Sequence, residues 1–169
     1  FNQQAKVDVK NIDSKTITAA DVNKISSTIT GKTYGSDQIF SCALVDLSEQ
    51  GNIKVTVDKS KITTITADMY ISALKSAGVT HGHAYVTSPV SATGESALAG
   101  IMNSYEAATN VQIPDTVKKA ANEEIYTESE IVKKDNVSAE NLTKLVDNVK
   151  ETVQQNNITD HSTIVNIIY

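Results

Sequence analysis

The sequence predicts an α+β fold, in which an antiparallel sheet of the split β-α-β (ferredoxin-like) type is followed by a helical C-terminal region. Three observations predict it. The first half alternates between strand-like and helix-like patterns in the order β-α-β-β-α-β, and the second half carries only helical patterns. Similar segments, TITAADV at 16–22 and TITADMY at 64–70, begin the two helices of the first half, as two equivalent halves would require. Shared N-cap chemistry is the alternative explanation of this similarity.

The first predicted elements are a short strand and a capped helix. Residues 6–9 alternate weakly between apolar and polar, which indicates the strand. Thr18 then begins a helix, because its hydroxyl can accept a free backbone N–H and Asp21 favours the positive end of the helix. Gly31 supplies the end of this helix.

Two strands follow, and we expect them to form an antiparallel β-hairpin. The runs 39–47 and 53–57 are apolar, the second alternates cleanly, and the five residues between them include a glycine. Cys42, the one cysteine of the chain, lies in the first run, so we expect its thiol to be buried and unreactive.

The second half of the sheet region repeats the order of helix and strand. Thr66 caps a helix over 67–77, and Gly78 follows its end. The run 84–87 predicts a strand that Pro89 terminates. We expect this strand to lie in the same sheet, beside the N-terminal strand.

Helical periodicity dominates the remainder, and we treat the whole chain as one domain, 1–169, with 1–92 forming the sheet and 93–169 packing on it as helices. The clearest apolar stripe opens after Ser138. It must be covered, so we expect Leu145→Ala to lower stability markedly. The stripe consists of Leu142, Leu145, Val146 and Val149.

Composition excludes some functions. The chain begins at Phe1 without a methionine and ends in an apolar run, so we expect a fragment of a longer protein. Its formal net charge is −5 and it contains no arginine, which disfavours nucleic acid as a partner. No apolar run approaches the length of a membrane span, and no pattern indicates a cofactor.

Two short patterns are candidate sites. His81 and His83 flank a glycine and would lie on one face of an extended strand, as zinc ligands do, with Asp160 or His161 supplying a third ligand; exposed histidines at a strand edge are the alternative. Further along the chain, the residues Thr93, Gly94 and Ser96 resemble an anion cradle at a helix start. Glu95 would repel an anion there, which favours a purely structural turn and cap.

Catalytic patterns are weak, and we name no catalytic residue. The segment 72–75, SALK, matches the nucleophile motif of penicillin-recognising enzymes, but the partner motifs of those enzymes do not follow it.

The segment SPVSATGESALAGIMNSYEAATN resembles an uncharacterised family, catalogued as domain of unknown function 1002. ITADMYISALKSAGVTHGHAYV precedes this segment, VKKAANEEI follows it, and the likeness runs from about Gly35 to Leu145. Members of this family typically carry a signal peptide, so the resemblance implies export. It implies no activity.

These observations predict an exported or cell-surface module that is not an enzyme and that binds a protein or another component of the cell envelope. The alternative is a metal-binding protein or metal-dependent hydrolase that uses His81 and His83. The oligomeric state stays open.

Overall fold

The computed structural model describes residues 1, 5–8, 10, 12–49 and 51–168, and it confirms a mixed α+β fold. The helices are α1 (Ala19–Ile29), α2 (Ala67–Ser76), α3 (Ser96–Thr109), α4 (Asp115–Asp135), α5 (Ala139–Gln155) and α6 (His161–Ile168). The strands are β1 (Cys42–Asp46), β2 (Lys54–Val57) and β3 (His83–Thr87). None of the helices in these ranges is long and apolar enough to cross a membrane.

The sheet is mixed, so the predicted antiparallel sheet is wrong and its ferredoxin-like type is not confirmed. Its strand order is β1-β3-β2, with β1 antiparallel and β2 parallel to β3. β1 and β2 therefore do not form the expected hairpin. The cause is α2, which crosses over between β2 and β3 and returns the chain parallel to β2. Of the N-terminal strand predicted at 6–9, residues 6–8 lie in no strand and residue 9 lies outside the described residues.

Local signals place the helices correctly. Thr18 and Asp21 form a reciprocal capping box, in which the N–H of each donates to the side chain of the other. The hydroxyls of Thr66 and Ser138 likewise accept an N–H at the starts of α2 and α5. Gly78 has a φ of +78° just after α2, a left-handed conformation that glycine adopts without strain.

The core lies between one face of the sheet and the helices α2, α3 and α4. Its largest members include Tyr70, Leu74, Leu98 and Ile125, which are fully buried, and Val86 of β3 is equally buried. β1 contributes the side chains of Ala43 and Val45 to this core. Because side chains alternate along a strand, the side chain of Cys42 points to the opposite face of the sheet. The prediction of a buried thiol is therefore wrong, because Cys42 is exposed at the start of an edge strand.

The apolar stripe of α5 is only partly covered. α5 packs on α2 and α4, and α6 packs on α5. Leu142 is 9% exposed, whereas Leu145 is 43% exposed. The expectation that Leu145 is a core residue is thus wrong, since it lies at the margin of the face that the neighbouring helices cover.

Candidate functional site

The turn that leads into α3 is held by its backbone. Gly94 is buried with a φ of +110°, and its carbonyl accepts the Tyr70 hydroxyl at 2.5 Å. A Cβ atom at Gly94 would lie 2.7 Å from Cγ2 of Ile62 and 2.8 Å from the Tyr70 oxygen. Because this position requires glycine both for its conformation and for its space, the turn has one fixed geometry.

Glu95, which follows this glycine, is a buried carboxylate with its hydrogen bonds made. Oε1 accepts from Ser129 at 2.5 Å and from Lys133 at 2.7 Å, both on α4, and Oε2 accepts from Thr93. Burial alone would raise the pKa of Glu95, but the hydrogen bonds from Lys133, Ser129 and Thr93 hold it below its ordinary value. The carboxylate therefore ties the start of α3 to α4.

Thr93, Gly94 and Ser96 are brought together at the edge of two adjoining cavities. One has a volume of about 270 Å³ and is lined by all three residues, together with Phe40 and two tyrosines. The second, of about 280 Å³, lies between β1 and α3. Ser96 and the segment 39–41 line both cavities.

The two cavities form one surface, which we call the α3 groove: the residues that line both, 39–41 and Ser96, with Thr93 and Gly94 beside them. Ser96 is the first residue of α3 and is partly exposed. Phe40 lines both cavities and is 39% exposed. Ser88 donates to the Phe40 carbonyl at 3.2 Å and so anchors the segment.

Two tyrosines, Tyr34 and Tyr126, border the 270 Å³ cavity. Burial raises the pKa of both, and the nearby Glu95 carboxylate adds to the effect. Both phenols consequently stay protonated over the physiological pH range. Together with the neutralised pair of Glu95 and Lys133, they give this part of the groove uncharged hydroxyl and aromatic surfaces.

The two histidines do not share a face of a strand. β3 begins only at His83, and Gly82 before it has a φ of +102°, which breaks the alternation of an extended strand. His81 is exposed and lies against Tyr105 of α3, with ring centroids 5.6 Å apart. His83 instead stacks on Tyr85, on the sheet face away from the helices, with centroids 4.1 Å apart.

Both ring nitrogens of His83 already have protein partners. Nδ1 lies 2.8 Å from Oε1 of Glu49, and Nε2 lies 2.8 Å from Oγ1 of Thr56. Within the described ranges, no group of three or more His, Cys, Asp or Glu side chains is arranged to hold a metal ion. Metal binding at His81 and His83 stays a prediction.

The proposed third ligands serve the start of α6. Asp160 accepts the Thr163 N–H at 2.8 Å and the Ser162 hydroxyl at 2.7 Å. These hydrogen bonds lower the pKa of Asp160 to about 2. His161 is an exposed residue in the first turn of the helix.

A polar cluster that the sequence did not reveal joins α2, α4 and α5. The Ser72 oxygen lies 2.8 Å from Nζ of Lys150, 2.5 Å from Asp147 and 3.0 Å from Glu124. Lys150 also donates to Glu124 at 2.5 Å. The cluster therefore links three helices through the hydrogen bonds of Ser72 and the ion pair of Lys150 with Glu124.

Glu128 lies one turn further along α4 and is the unusual member of this region. Its Oε2 atom lies 3.3 Å from Oγ1 of Thr143, while its Oε1 atom has no hydrogen-bond partner. Burial, followed by the charge of Glu124, raises the pKa of Glu128 to about 7. The carboxyl is therefore partly protonated near neutral pH.

Comparison with known proteins assigns the chain to a class. A model of the family described as "Protein of unknown function (DUF1002)" matches residues 1–169, and the chain belongs to this family. It is 31% identical over 164 residues to "Uncharacterized protein YpuA" of Bacillus subtilis (strain 168). The match covers 95% of this chain and 56% of that protein, so the chain spans little more than half of its relative. No solved structure matches the chain.

Proposed function

We propose that this chain is an exported or cell-surface module that binds a protein or another component of the cell envelope, without catalysing a reaction. We place the contact in the α3 groove, at Thr93, Gly94 and Ser96. The observation that supports this proposal is the junction of two open cavities at Ser96 and the segment 39–41. Export is supported by the resemblance of the sequence to a family of secreted proteins.

The chemistry of the groove favours binding over catalysis. The carboxylate of Glu95 is neutralised by Lys133, and the Thr93 hydroxyl donates to that same carboxylate. Concave surfaces with apolar and aromatic walls and a few hydroxyls are typical of binding sites. Phe40, which lines both cavities and is partly exposed, is the side chain best placed to contact a partner.

A sedimentation experiment tests the binding. The purified protein is mixed with isolated cell walls or with washed membranes of the source organism, and the pelleted fraction is measured. Ser96→Trp places a bulky side chain at a position that lines both cavities, so we expect it to lower sedimentation at least roughly tenfold. Ala107→Trp, on an exposed part of the same helix, is the matched control and should sediment like the wild type.

Two results would contradict the proposal: wild-type protein that stays in the supernatant with both preparations, or equal sedimentation of wild type and Ser96→Trp. Circular dichroism and thermal unfolding establish that both variants fold. Export is tested separately, by adding protease to intact cells that express the full-length protein. Degradation is expected, and complete protection would refute a surface location.

A further inference from the structure

The backbone of β3 determines which groups of β1 are unpaired. The N–H of Lys54 donates to the Gly82 carbonyl, and the N–H of Asp58 donates to the Val86 carbonyl, each at 2.9 Å. The backbone groups of a strand residue point to one side, and successive residues alternate between sides. Gly82, Ala84 and Val86 therefore face β2.

The residues between them, His83, Tyr85 and Thr87, face β1. Their register partners in β1 are Asp46, Leu44 and Cys42, in that order. The remaining two residues, Ala43 and Val45, consequently direct their N–H and C=O groups away from the sheet. Neither residue has a backbone hydrogen bond to any other described residue outside the sheet. Among the residues that the structure describes, β1 thus presents two donors and two acceptors without backbone partners along its outer edge.

The start of this edge, at Cys42 and Ala43, lines the 280 Å³ cavity of the α3 groove. α3 packs over β1, and Gly100 brings the helix close enough that a Cβ there would lie 3.8 Å from that of Ala43. The segment 15–17 forms another wall of the same cavity. Its lining is small or apolar where it meets α3, and Lys15 carries the one charge among the lining residues.

We infer that the outer edge of β1 accepts an extended segment of another polypeptide as a fourth strand of the sheet. This inference rests on the proposed function and specifies the partner as a peptide. Alternating donors and acceptors with the spacing of a strand are matched by another extended backbone, and not by the hydroxyls of a glycan. The segment 15–17 and α3 line the same cavity as the start of β1 and border the edge, which favours a flexible segment over the sheet edge of a second folded copy.

The side chains of such a segment alternate between two environments. One set faces the small residues of α3, Ala97 and Gly100, so residues up to the size of valine or leucine fit the cavity there. The other set faces the open side of the sheet. An acidic residue of the peptide would pair with Lys15 at the wall of the cavity.

Hydrogen exchange and a peptide selection test the inference on the folded protein. In the free protein the amides of Ala43 and Val45 should exchange rapidly, and those of Leu44 and Tyr85 slowly. Decapeptides are then selected from an unbiased displayed library, and they should slow exchange at Ala43 and Val45. Protection of these amides in the free protein, or a library that yields no binder acting on them, would overturn the inference.

Two sets of substitutions separate strand pairing from contact of other kinds. Ala43→Pro removes an outward N–H without touching the ladder to β3, and should weaken peptide binding at least roughly tenfold. Ala43→Ser keeps this N–H and should therefore keep peptide binding. N-methylation of alternate peptide residues gives a test that is independent of the folding of the variant. Methyl groups in one register should abolish binding and those in the other register should leave it unchanged. Equal effects in both registers would refute strand pairing.

Failure of the peptide inference can be distinguished from failure of the proposed function. If wild-type protein still sediments with cell walls or membranes in a manner sensitive to Ser96→Trp, while no peptide protects the β1 edge, the groove binds its partner in another way. The peptide inference alone is then wrong.

Discussion

Replacing Glu128 by glutamine should remove much of the pH dependence of stability. Glu128 is 3% exposed and its Oε1 atom has no hydrogen-bond partner, so ionisation places a charge in a desolvated position. The groups that face it are Glu124 on its own helix and Thr143, Asp147 and Lys150 on α5. Its pKa in the folded protein is raised to about 7, from an ordinary value of 4.5.

The sign of the effect follows from the two values. As pH rises from 4.5, the unfolded chain loses this proton first, while the folded protein keeps it until about pH 7. The unfolded state therefore binds fewer protons in this window, and the free energy of unfolding falls as pH rises. Between about pH 5 and about pH 8 the loss amounts to roughly 2.5 kcal/mol.

Urea unfolding of the wild type and Glu128→Gln at these two pH values measures the effect. We expect the variant to gain about 2.5 kcal/mol relative to the wild type on going from the lower to the higher pH. A difference between the two proteins that is constant within about 0.5 kcal/mol would refute the reasoning. Glu123→Gln, a partly exposed residue of the same helix that does not contribute to the pKa shift of Glu128, is the control and should leave the pH dependence unchanged.

Three further experiments probe the fold. Gly94→Ala should cost about 2–4 kcal/mol in urea unfolding because the added Cβ is both strained and crowded, whereas Gly78→Ala, at a positive φ with open space around it, should cost only about 1 kcal/mol. Leu142→Ala should lower the free energy of unfolding by about 2–4 kcal/mol and Leu145→Ala by less than about 1 kcal/mol; equal losses would contradict their difference in exposure. Cys42 should react with a thiol reagent in the native protein at nearly its rate in denaturant, and strong protection would contradict its exposure.

Local chemistry made part of this fold predictable from the sequence. Thr18, Thr66 and Ser138 each determine a helix start through one hydroxyl and one nearby N–H, a decision made within four residues. Pairing of strands is decided elsewhere. The runs 39–47 and 53–57 each contain a strand, as predicted. Both strands pair with β3, and this pairing depends on the path of α2 and on the burial of β3.

In the candidate site, too, local features could be predicted from the sequence and long-range contacts could not. The turn at 93–96 was recognisable from its small residues and its position before a helix. The hydrogen bonds that hold this turn were not recognisable, because their donors, Ser129 and Lys133, lie more than thirty residues away on α4. Their spacing of four residues on one helix face is the one available signal. The exposure of Cys42 is not predictable from the sequence, because the run around it has no clear alternation that would show which side chains face the core.

The order of the strands also constrains how the chain is made. β3 is the last strand in sequence and the middle strand of the sheet, so neither β1 nor β2 has its partner until residues 83–87 have left the ribosome. Until then both strands expose unpaired backbone, and α1 and α2 are the elements that can form earlier because their hydrogen bonds are local. Sheet formation during synthesis is therefore a single event, in which one five-residue segment completes two ladders.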